Sequence, residues 1–401
     1  MGKEKKLKPF KHPLLFPFAK FFFGLWARVV LGYRKKSKFR IQKGERILVL
    51  SNHQTDLDPL LIMLSFNMML RTLATDNTFA GKKAAKWMTY LGAIPKRKGL
   101  ADIKSTMEML KYSSIGDPLL FFPEGNRCFA DFQFFISDRI GKLIKSFKVT
   151  LVIFNLHGGF GISPRMGAKR RKGKFYGEIK TILKYEDYKD LSDEELYHII
   201  KDNLKVYDSE SGELYKSNAR AEYFERLFFV CPKCQSISTM YSKGNYIRCN
   251  KCNLEIEYTE DLHIKSSDIG FTKLVEYYNY QKKFVKEHDF SKQDVIFEDK
   301  GVSLTLANPY QDKEKMEEES SLTLTNKELI FDHHKFEVKD ILVASPVSGR
   351  KLVFTIGDNN YTIKGNERFN AIKYVFLFHK LDTLMKERNI DQYFSLEEDE
   401  K

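Results

Sequence analysis

Two short segments, about seventy residues apart, carry side chains suited to proton transfer and anion binding. The first, at residues 51–59, reads Ser-Asn-His-Gln-Thr-Asp-Leu-Asp-Pro and places His53 five positions ahead of Asp58. An imidazole has a near-neutral pKa and can remove a proton from a hydroxyl group. A carboxylate beside it holds the ring in one tautomer and stabilises the imidazolium that forms. We therefore predict that His53 is a general base oriented by Asp58, with Asp56 as the alternative partner.

The second segment, at residues 122–127, reads Phe-Pro-Glu-Gly-Asn-Arg and indicates an anion-binding turn. Gly125 allows a ligand to approach the backbone closely, and the planar fork of Arg127 suits a phosphate group. Glu124 is a candidate for orienting a ligand hydroxyl or for fixing an arginine. The alternative interpretation is a strand-ending turn with a solvated ion pair.

Both segments follow apolar runs that predict buried strands. Residues 47–50 read Ile-Leu-Val-Leu, and residues 119–122 read Leu-Leu-Phe-Phe. Pro59 suits the first position of a helix that continues through Leu60 to Ile62. This strand-to-helix junction is expected to place His53 at the edge of a sheet, with backbone N–H groups directed towards substrate.

Taken together, the two segments resemble the glycerolipid acyltransferases, specifically the 1-acylglycerol-3-phosphate acyltransferase family, over about residues 10–200. That family has an N-H-x4-D block and an F-P-E-G-T-R block, with an intermediate block that ends in an arginine. Residues 91–99 are similar to the intermediate block, and Asn126 stands where the family usually has threonine. The resemblance implies that His53 and Asp58 are catalytic and that the acceptor's phosphate and glycerol are held by Arg97, Glu124, Gly125, Asn126 and Arg127.

The resemblance implies an O-acyltransferase that moves an acyl group from acyl-CoA or acyl-carrier protein to the sn-2 hydroxyl of lysophosphatidate. Backbone N–H groups near the His53 turn are then expected to hold the tetrahedral oxyanion. Cys128 has no base at motif-like spacing, so we expect direct transfer without an acyl-enzyme. Two alternatives stay open: another acceptor, such as glycerol-3-phosphate or a lysophospholipid, or a non-catalytic membrane adaptor that keeps the fold.

The charge distribution indicates a membrane surface as a partner. The 401 residues carry a net charge of +14, and residues 1–50 hold fourteen Lys or Arg and two Glu, which is +12 of that total. The apolar stretch at residues 13–33 separates two basic clusters and favours anionic lipid over nucleic acid. On a helix, Lys20, Gly24 and Arg28 fall on one narrow face, which predicts a basic side towards headgroups and an apolar side in lipid. A membrane span and a helix buried in the protein are the alternatives.

A cytoplasmic location follows from the same segment. Lys20 interrupts the apolar run, and no small-residue cleavage site follows, so a signal peptide is not expected. We therefore predict a peripheral or monotopic protein on the cytoplasmic face of a membrane.

Four of the five cysteines have the spacing of a zinc ribbon. They form two Cys-x-x-Cys pairs separated by fourteen residues, with Gly244-Asn245 midway as a hairpin turn. Four thiolates complete a tetrahedral site, so we predict one structural zinc bound by Cys231, Cys234, Cys249 and Cys252.

The C-terminal third has many short runs of strand character followed by an amphipathic helix at about residues 368–386. This order predicts a small antiparallel β barrel or sandwich capped by a helix, which resembles pleckstrin-homology-like and GRAM modules. Residues 311–319 are rich in Lys, Asp and Glu and are expected to form a solvated loop.

The predicted fold class is an α/β acyltransferase domain, with a mixed sheet flanked by helices. An N-terminal amphipathic membrane helix, a small β zinc ribbon and the C-terminal antiparallel β barrel are joined to it. The predicted divisions are a basic membrane-anchoring helix region (1–40), the acyltransferase domain (41–225), the zinc ribbon (226–262), a helical linker (271–290), the β domain (291–390) and an acidic tail (391–401).

Overall fold

The computed structural model describes residues 16–40, 42, 44–66, 68–97 and 103–381. The predicted basic cluster at residues 3–11 and the predicted acidic tail at 391–401 lie outside the described residues. The first part of the chain alternates strands and helices. Its elements are α1 (Phe16–Val30), β1 (Tyr33–Lys35), β2 (Ile47–Ser51), α2 (Asp58–Phe66), β3 (Arg71–Thr75), α3 (Lys82–Tyr90), β4 (Ile94–Lys96), α4 (Ile103–Ser114), β5 (Leu119–Phe121), α5 (Ile140–Phe147), β6 (Thr150–His157), α6 (Gly159–Ile162), β7 (Phe175–Leu183), α7 (Tyr185–Tyr188) and α8 (Asp193–Leu204).

These strands form one mixed seven-stranded sheet in the order β1-β7-β6-β2-β5-β3-β4. From β6 to β4 the neighbours are parallel, as crossover helices require, whereas β7 is antiparallel to β6. Successive residues of β2 alternate between two cores: Val49 packs with the α2 side, and Leu48 packs with the side covered by α5 and α8. The predicted mixed sheet flanked by helices is confirmed.

Helix α1 packs against this domain through the side that contains Gly24 and Ala27. Ala27 is buried, and Gly24 faces α2, where a Cβ would make an ordinary contact with Leu64 at 3.5 Å. Lys20 is partly buried on the same side, and burial lowers its pKa. Lys20 and Gly24 are thus partly buried, whereas Arg28, on the same predicted face, is exposed; the orientation of α1 towards headgroups stays a prediction. The outer face of α1 exposes Phe18, Phe21, Phe22, Leu25 and Val29.

The basic cluster after α1 belongs in part to the sheet. Strand β1 pairs with β7, with Arg34 opposite Tyr176, so the sheet begins ahead of the predicted domain start at residue 41. None of the helices within the described residues combines the length and apolar character needed to cross a bilayer.

The cysteine-containing region forms a separate four-stranded antiparallel sheet, in the order β11-β10-β9-β8. Gly244 and Asn245 connect β8 to β9, which confirms the predicted hairpin turn. Helix α9 packs on this region, where Gln281 is fully buried and its Oε1 accepts hydrogen bonds from the backbone N–H groups of Phe229 and Val230. The elements are β8 (Met240–Lys243), β9 (Tyr246–Cys249), β10 (Glu255–Tyr258), β11 (Ile264–Lys265) and α9 (Leu274–Glu287).

The C-terminal β domain is one antiparallel sheet with a helix packed on it. Its elements are β12 (Phe297–Leu306), β13 (Glu314–Leu324), β14 (Glu328–Ile330), β15 (Lys335–Glu337), β16 (Ile341–Ser348), β17 (Lys351–Ile356), β18 (Asn359–Lys364) and α10 (Ala371–Leu381). The strand order is β15-β14-β13-β12-β18-β17-β16, and among the described residues the two end strands do not pair, so the sheet stays open.

The prediction of a loop at residues 311–319 is wrong for residues 314–319, which belong to a strand. Strand β13 begins at Glu314 and pairs with β12, so the backbone groups of this charged stretch are hydrogen-bonded. Most of its charged side chains remain exposed, so they stay hydrated while the backbone pairs with β12. Glu317 is the buried exception, and it pairs with His334 at 2.7 Å.

The β domain docks on the seven-stranded mixed sheet beside α3. Pro309 forms a β-bridge with Ala80, and the Gly81 N–H donates to the Gln311 carbonyl at 2.7 Å. The Asn360 amide donates to Asp76 Oδ2 at 2.9 Å in a buried contact. The C-terminal domain therefore contacts the α/β domain on the side of the sheet where β3 and β4 end.

Candidate active site

The turn after β2 is fixed to the neighbouring strand by Asn52. Its side-chain amide donates to the Leu156 carbonyl at 2.9 Å, and its Oδ1 accepts from the Leu156 N–H at 2.8 Å. This pair of bonds reproduces a backbone ladder between β2 and the end of β6. These bonds fix the position of the chain where β2 ends, and therefore also the position of His53, the next residue.

His53 and Asp58 form the predicted pair. His53 Nδ1 lies 2.8 Å from Asp58 Oδ2, and the Asp58 side chain is fully buried. Because a carboxylate only accepts, Nδ1 carries the proton and Nε2 keeps a lone pair. The imidazole also stacks on Phe122, with ring centroids 4.3 Å apart, so its orientation is fixed from two directions. The side chain remains 23% exposed, which leaves it accessible to a substrate.

The backbone N–H groups at the head of this turn point inward. Those of Gln54 and Thr55 donate to Asp58 Oδ2 at 2.6 and 2.9 Å, and that of His53 donates to Glu124 at 3.3 Å. The prediction that N–H groups near His53 hold the oxyanion is wrong for these three residues. The buried carboxyl groups of Asp58 and Glu124 already accept hydrogen bonds from them, and these bonds fix the path of the turn.

The side chain of Glu124 binds backbone groups of the protein instead of facing a ligand. Its second oxygen accepts from the Phe134 N–H at 3.0 Å, so both oxygens bind backbone groups. The side chain is buried, and burial raises the pKa of the carboxyl to about 8. Gly125 has φ of +62°, a conformation that glycine adopts without strain, and its N–H donates to the Phe122 carbonyl. Glu124 and Gly125 therefore shape the second segment and connect it to the His53 turn.

Arg127 lies on the outer side of the site and pairs with Asp56. Arg127 Nη1 is 2.5 Å from Asp56 Oδ2; the Asp56 side chain is 80% exposed, whereas that of Arg127 is 10% exposed. The alternative in which Asp56 orients His53 is therefore wrong, because Asp58 makes that contact. Asn126 is buried and accepts from the Arg127 N–H at 3.0 Å.

Arg97 lies apart from the other predicted residues. It follows β4, which is three strands from β2, a separation of roughly 14 Å at typical strand spacing. Its guanidinium pairs with Asp358 of the C-terminal β domain at 3.2 Å, and the side chain is 61% exposed. Its role in acceptor binding stays a prediction.

Two further residues, Gln54 and Asp208, support the turn, and neither was predicted from the sequence. Gln54 accepts from the Gly159 N–H at 2.8 Å and donates to Asp208 at 3.2 Å. Asp208 is buried and also accepts from the N–H groups of Gly158 and Gly161. The glycine-rich run at residues 158–161 was a visible signal, whereas an isolated aspartate some fifty residues later gave none.

Cys128 is enclosed in the same region. Burial raises the pKa of its thiol well above the usual range, and its Sγ accepts from the Phe132 N–H at 3.3 Å. A thiol nucleophile needs a lowered pKa and access, and Cys128 has neither. This agrees with the expectation of transfer without an acyl-enzyme.

The four remaining cysteines converge on one point. Their Sγ atoms all lie within 4.8 Å of one another, and the pairs Cys231–Cys252 and Cys234–Cys249 are 3.5 and 3.8 Å apart. A tetrahedral zinc with Zn–S bonds of about 2.3 Å places its sulfurs about 3.8 Å apart. A disulfide would need about 2.05 Å. The cluster therefore fits a four-thiolate metal site.

Comparison with known proteins identifies the first part of the chain. Residues 33–153 match the family model described as Acyltransferase. The chain carries an acyltransferase domain. The matched range contains the His53 turn and the Arg127 segment, and it ends before the cysteine cluster and the C-terminal β domain.

A solved structure similar to this chain is the 1-acyl-sn-glycerophosphate (LPA) acyltransferase PlsC from Thermotoga maritima. It is 19% identical, and the match covers 47% of this chain and 76% of that chain with a TM-score of 0.40. A search of the curated proteins gives no match.

Proposed function

We propose that this acyltransferase transfers a fatty acyl group from acyl-CoA or acyl-carrier protein to the sn-2 hydroxyl of lysophosphatidate, which gives phosphatidate. The observation that carries the proposal is the contact between His53 Nδ1 and the buried Asp58 carboxylate. It leaves Nε2 as the basic atom of a partly exposed imidazole, as deprotonation of a hydroxyl requires.

The chemical steps follow from this arrangement. Nε2 removes the hydroxyl proton as the acceptor oxygen attacks the thioester carbonyl, and a C–O bond forms. The tetrahedral intermediate collapses with cleavage of the C–S bond, and the leaving thiolate takes the proton from the imidazolium. Asp58 stabilises that imidazolium while it exists, and the three inward N–H bonds keep the turn from moving.

A phosphorylated acceptor is supported by Arg127. In the structure its guanidinium binds the carboxylate of the exposed Asp56, an anion at the surface of the site. An incoming phosphate can replace that carboxylate, because a guanidinium binds either group in the same geometry. Acceptors such as glycerol-3-phosphate carry the same group and are alternatives within this proposal.

The surrounding parts of the chain have proposed roles too. We propose a structural zinc on Cys231, Cys234, Cys249 and Cys252, where four thiolates leave no open position for catalysis. We also propose that α1 lies on the cytoplasmic face of a membrane, with its exposed Phe and Leu side chains in the lipid. The lipid acceptor would then be delivered from the same surface.

Acyl transfer by the purified full chain tests the proposal. Wild type, His53→Ala and His157→Ala are incubated with acyl-CoA and lysophosphatidate, and phosphatidate is quantified. His157 is a matched control, since it too stacks on an aromatic ring and pairs with a carboxylate, at 3.3 Å from Glu178. We expect product from wild type and His157→Ala and none from His53→Ala.

Equal product from His53→Ala would refute the base assignment. If wild type makes no phosphatidate, acyl-carrier-protein donors and glycerol-3-phosphate or lysophospholipid acceptors are tried with the same variants. Failure of every combination with folded protein would refute the proposal in favour of a non-catalytic adaptor.

A further inference from the structure

A second buried arginine lies directly behind Arg127. Arg165, in the loop after α6, is 6% exposed. Its Nη1 donates to Asn126 Oδ1 at 2.8 Å and to the Arg127 carbonyl at 3.0 Å. It therefore contacts the two residues at the outer end of the Phe-Pro-Glu-Gly-Asn-Arg segment, about forty positions away in the sequence.

The C-terminal β domain provides the third contact of Arg165. Its Nη2 donates to the carbonyl of Pro346, in strand β16. Its guanidinium also lies near the face of Phe129, 5.9 Å from the ring centroid. Arg165 is thus held between the acyltransferase domain and the C-terminal domain.

The positive charge of Arg165 is not neutralised by a direct partner. Within the described residues no carboxylate lies within 4.0 Å of it, and its three hydrogen bonds go to neutral oxygens. Burial lowers its pKa to about 9, which still leaves it charged at neutral pH. Burying a cation without an anion costs several kcal/mol, so such a charge is rarely kept without a role.

Arg127 and Arg165 are neighbouring cations, and within the described residues the one ion pair that either makes is that of Arg127 with the exposed Asp56. Arg127 contacts Asp56, and the Nε atoms of both Arg127 and Arg165 are buried without a hydrogen-bond partner among the described residues. Once a ligand displaces Asp56, it meets the Arg127 guanidinium directly, with the positive charge of Arg165 buried behind it. A phosphate monoester dianion matches these two positive charges, whereas a phosphodiester carries only one negative charge.

We propose that Arg165 is a positioning residue for the acceptor's phosphate, acting through Asn126 and Arg127 and favouring a phosphate monoester. This inference rests on the proposed function, since it deepens the acceptor site of the same reaction. It also gives Asn126 a role. The amide oxygen of Asn126 binds both Arg165 and the Arg127 N–H, and it thereby connects the two arginines.

Steady-state kinetics with lysophosphatidate at saturating acyl-CoA test the inference. We expect Arg165→Met to raise KM for lysophosphatidate tenfold or more with kcat changed less than threefold, and Arg165→Lys to restore part of the loss. Arg171→Met is the matched control. Arg171 is 4% exposed and also donates to a backbone carbonyl, that of Arg220, but it does not contact Asn126 or Arg127.

A double-mutant cycle separates positioning from a general effect on folding. If Arg165 acts through Arg127, Arg165→Met should change KM less than threefold in an Arg127→Ala background. Multiplicative effects in the double variant, or a loss of kcat with KM unchanged, would overturn the inference. If Arg165→Met does not fold, Asn126→Ala breaks the same connection from the other side and should raise KM in the same way.

Binding of glycerol-3-phosphate by calorimetry distinguishes this inference from the proposed function. Weaker binding to Arg165→Met than to wild type, in a protein that transfers no acyl group, would support the phosphate site while refuting the function. Active wild type whose KM and glycerol-3-phosphate affinity are unchanged in Arg165→Met would refute the inference alone.

Discussion

Asp58→Asn separates the charge of Asp58 from its hydrogen bonds. Oδ2 accepts from His53 Nδ1, Gln54 N and Thr55 N, and Oδ1 accepts from the Thr55 hydroxyl at 2.5 Å. An asparagine can place its carbonyl where Oδ2 stands. Its amide then donates to Thr55 Oγ1, which rotates its hydrogen away. The three hydrogen bonds at the Oδ2 position survive and the negative charge is lost, while the Thr55 hydroxyl hydrogen gives up its acceptor.

The expected effect is on the rate and not on the fold. Opposite charges about 4 Å apart attract by about 4 kcal/mol at an effective dielectric constant of about 20. If an imidazolium forms in the transition state, kcat should fall by about three orders of magnitude. The free energy of unfolding should change by less than about 3 kcal/mol, because the Thr55 hydroxyl is the one of these four donors that loses its acceptor.

Initial rates at saturating acyl-CoA and lysophosphatidate measure kcat, and thermal unfolding measures stability. Asp138→Asn, at an exposed aspartate, is the matched control and should leave both unchanged. A variant Asp58→Asn that unfolds like wild type and keeps more than a tenth of kcat would refute the electrostatic role of Asp58. A large loss of stability would refute the hydrogen-bond argument instead.

Four other changes test separate parts of the structure. Elemental analysis should find about one zinc per chain, and Cys249→Ser should lower both the zinc content and Tm; a folded, metal-free wild type would contradict the site. Cys128→Ser should keep kcat within threefold, since the buried thiol is not a nucleophile; loss of turnover with an unchanged Tm would point to an acyl-enzyme. Phe21→Ser combined with Phe22→Ser should remove about 3 kcal/mol of apolar contact with lipid. Sedimentation with anionic vesicles should then weaken more than a hundredfold, and unaltered sedimentation would exclude α1 as the anchor. Burial raises the pKa of Glu124 to about 8 from 4.5, so the folded state keeps a proton that the unfolded state releases. Stability should therefore fall as pH rises from about 4.5 to about 8, and Glu124→Gln should reduce that fall in a Tm series; identical pH profiles would refute the shift.

Local features of the fold were predictable because their causes are local. The apolar runs ahead of the two segments predicted β2 and β5, and Pro59 lies in the first turn of α2. His53 and Asp58 are five positions apart, so a single turn brings them together. The cysteine spacing and the Gly244-Asn245 turn likewise depend on neighbouring residues only.

Other features depend on which groups the sheets bring together. The choice of Asp58 over Asp56, the backbone contacts of Glu124 and the inward N–H groups were decided by burial, since each buried carboxylate takes the donors around it. Charge alone did not reveal that residues 314–319 form a strand, because exposed side chains stay hydrated while the backbone pairs.

The sequence by itself determined the chemistry available to this protein, through a histidine, a carboxylate and an arginine placed on two strand-ending turns. Only the tertiary structure decided how that chemistry is supported. Asp208 and Arg165 lie far along the chain from the residues they contact, and Pro346 comes from another domain. Contacts of about 3 Å between such distant residues depend on the complete packing of the sheets, which no local pattern encodes.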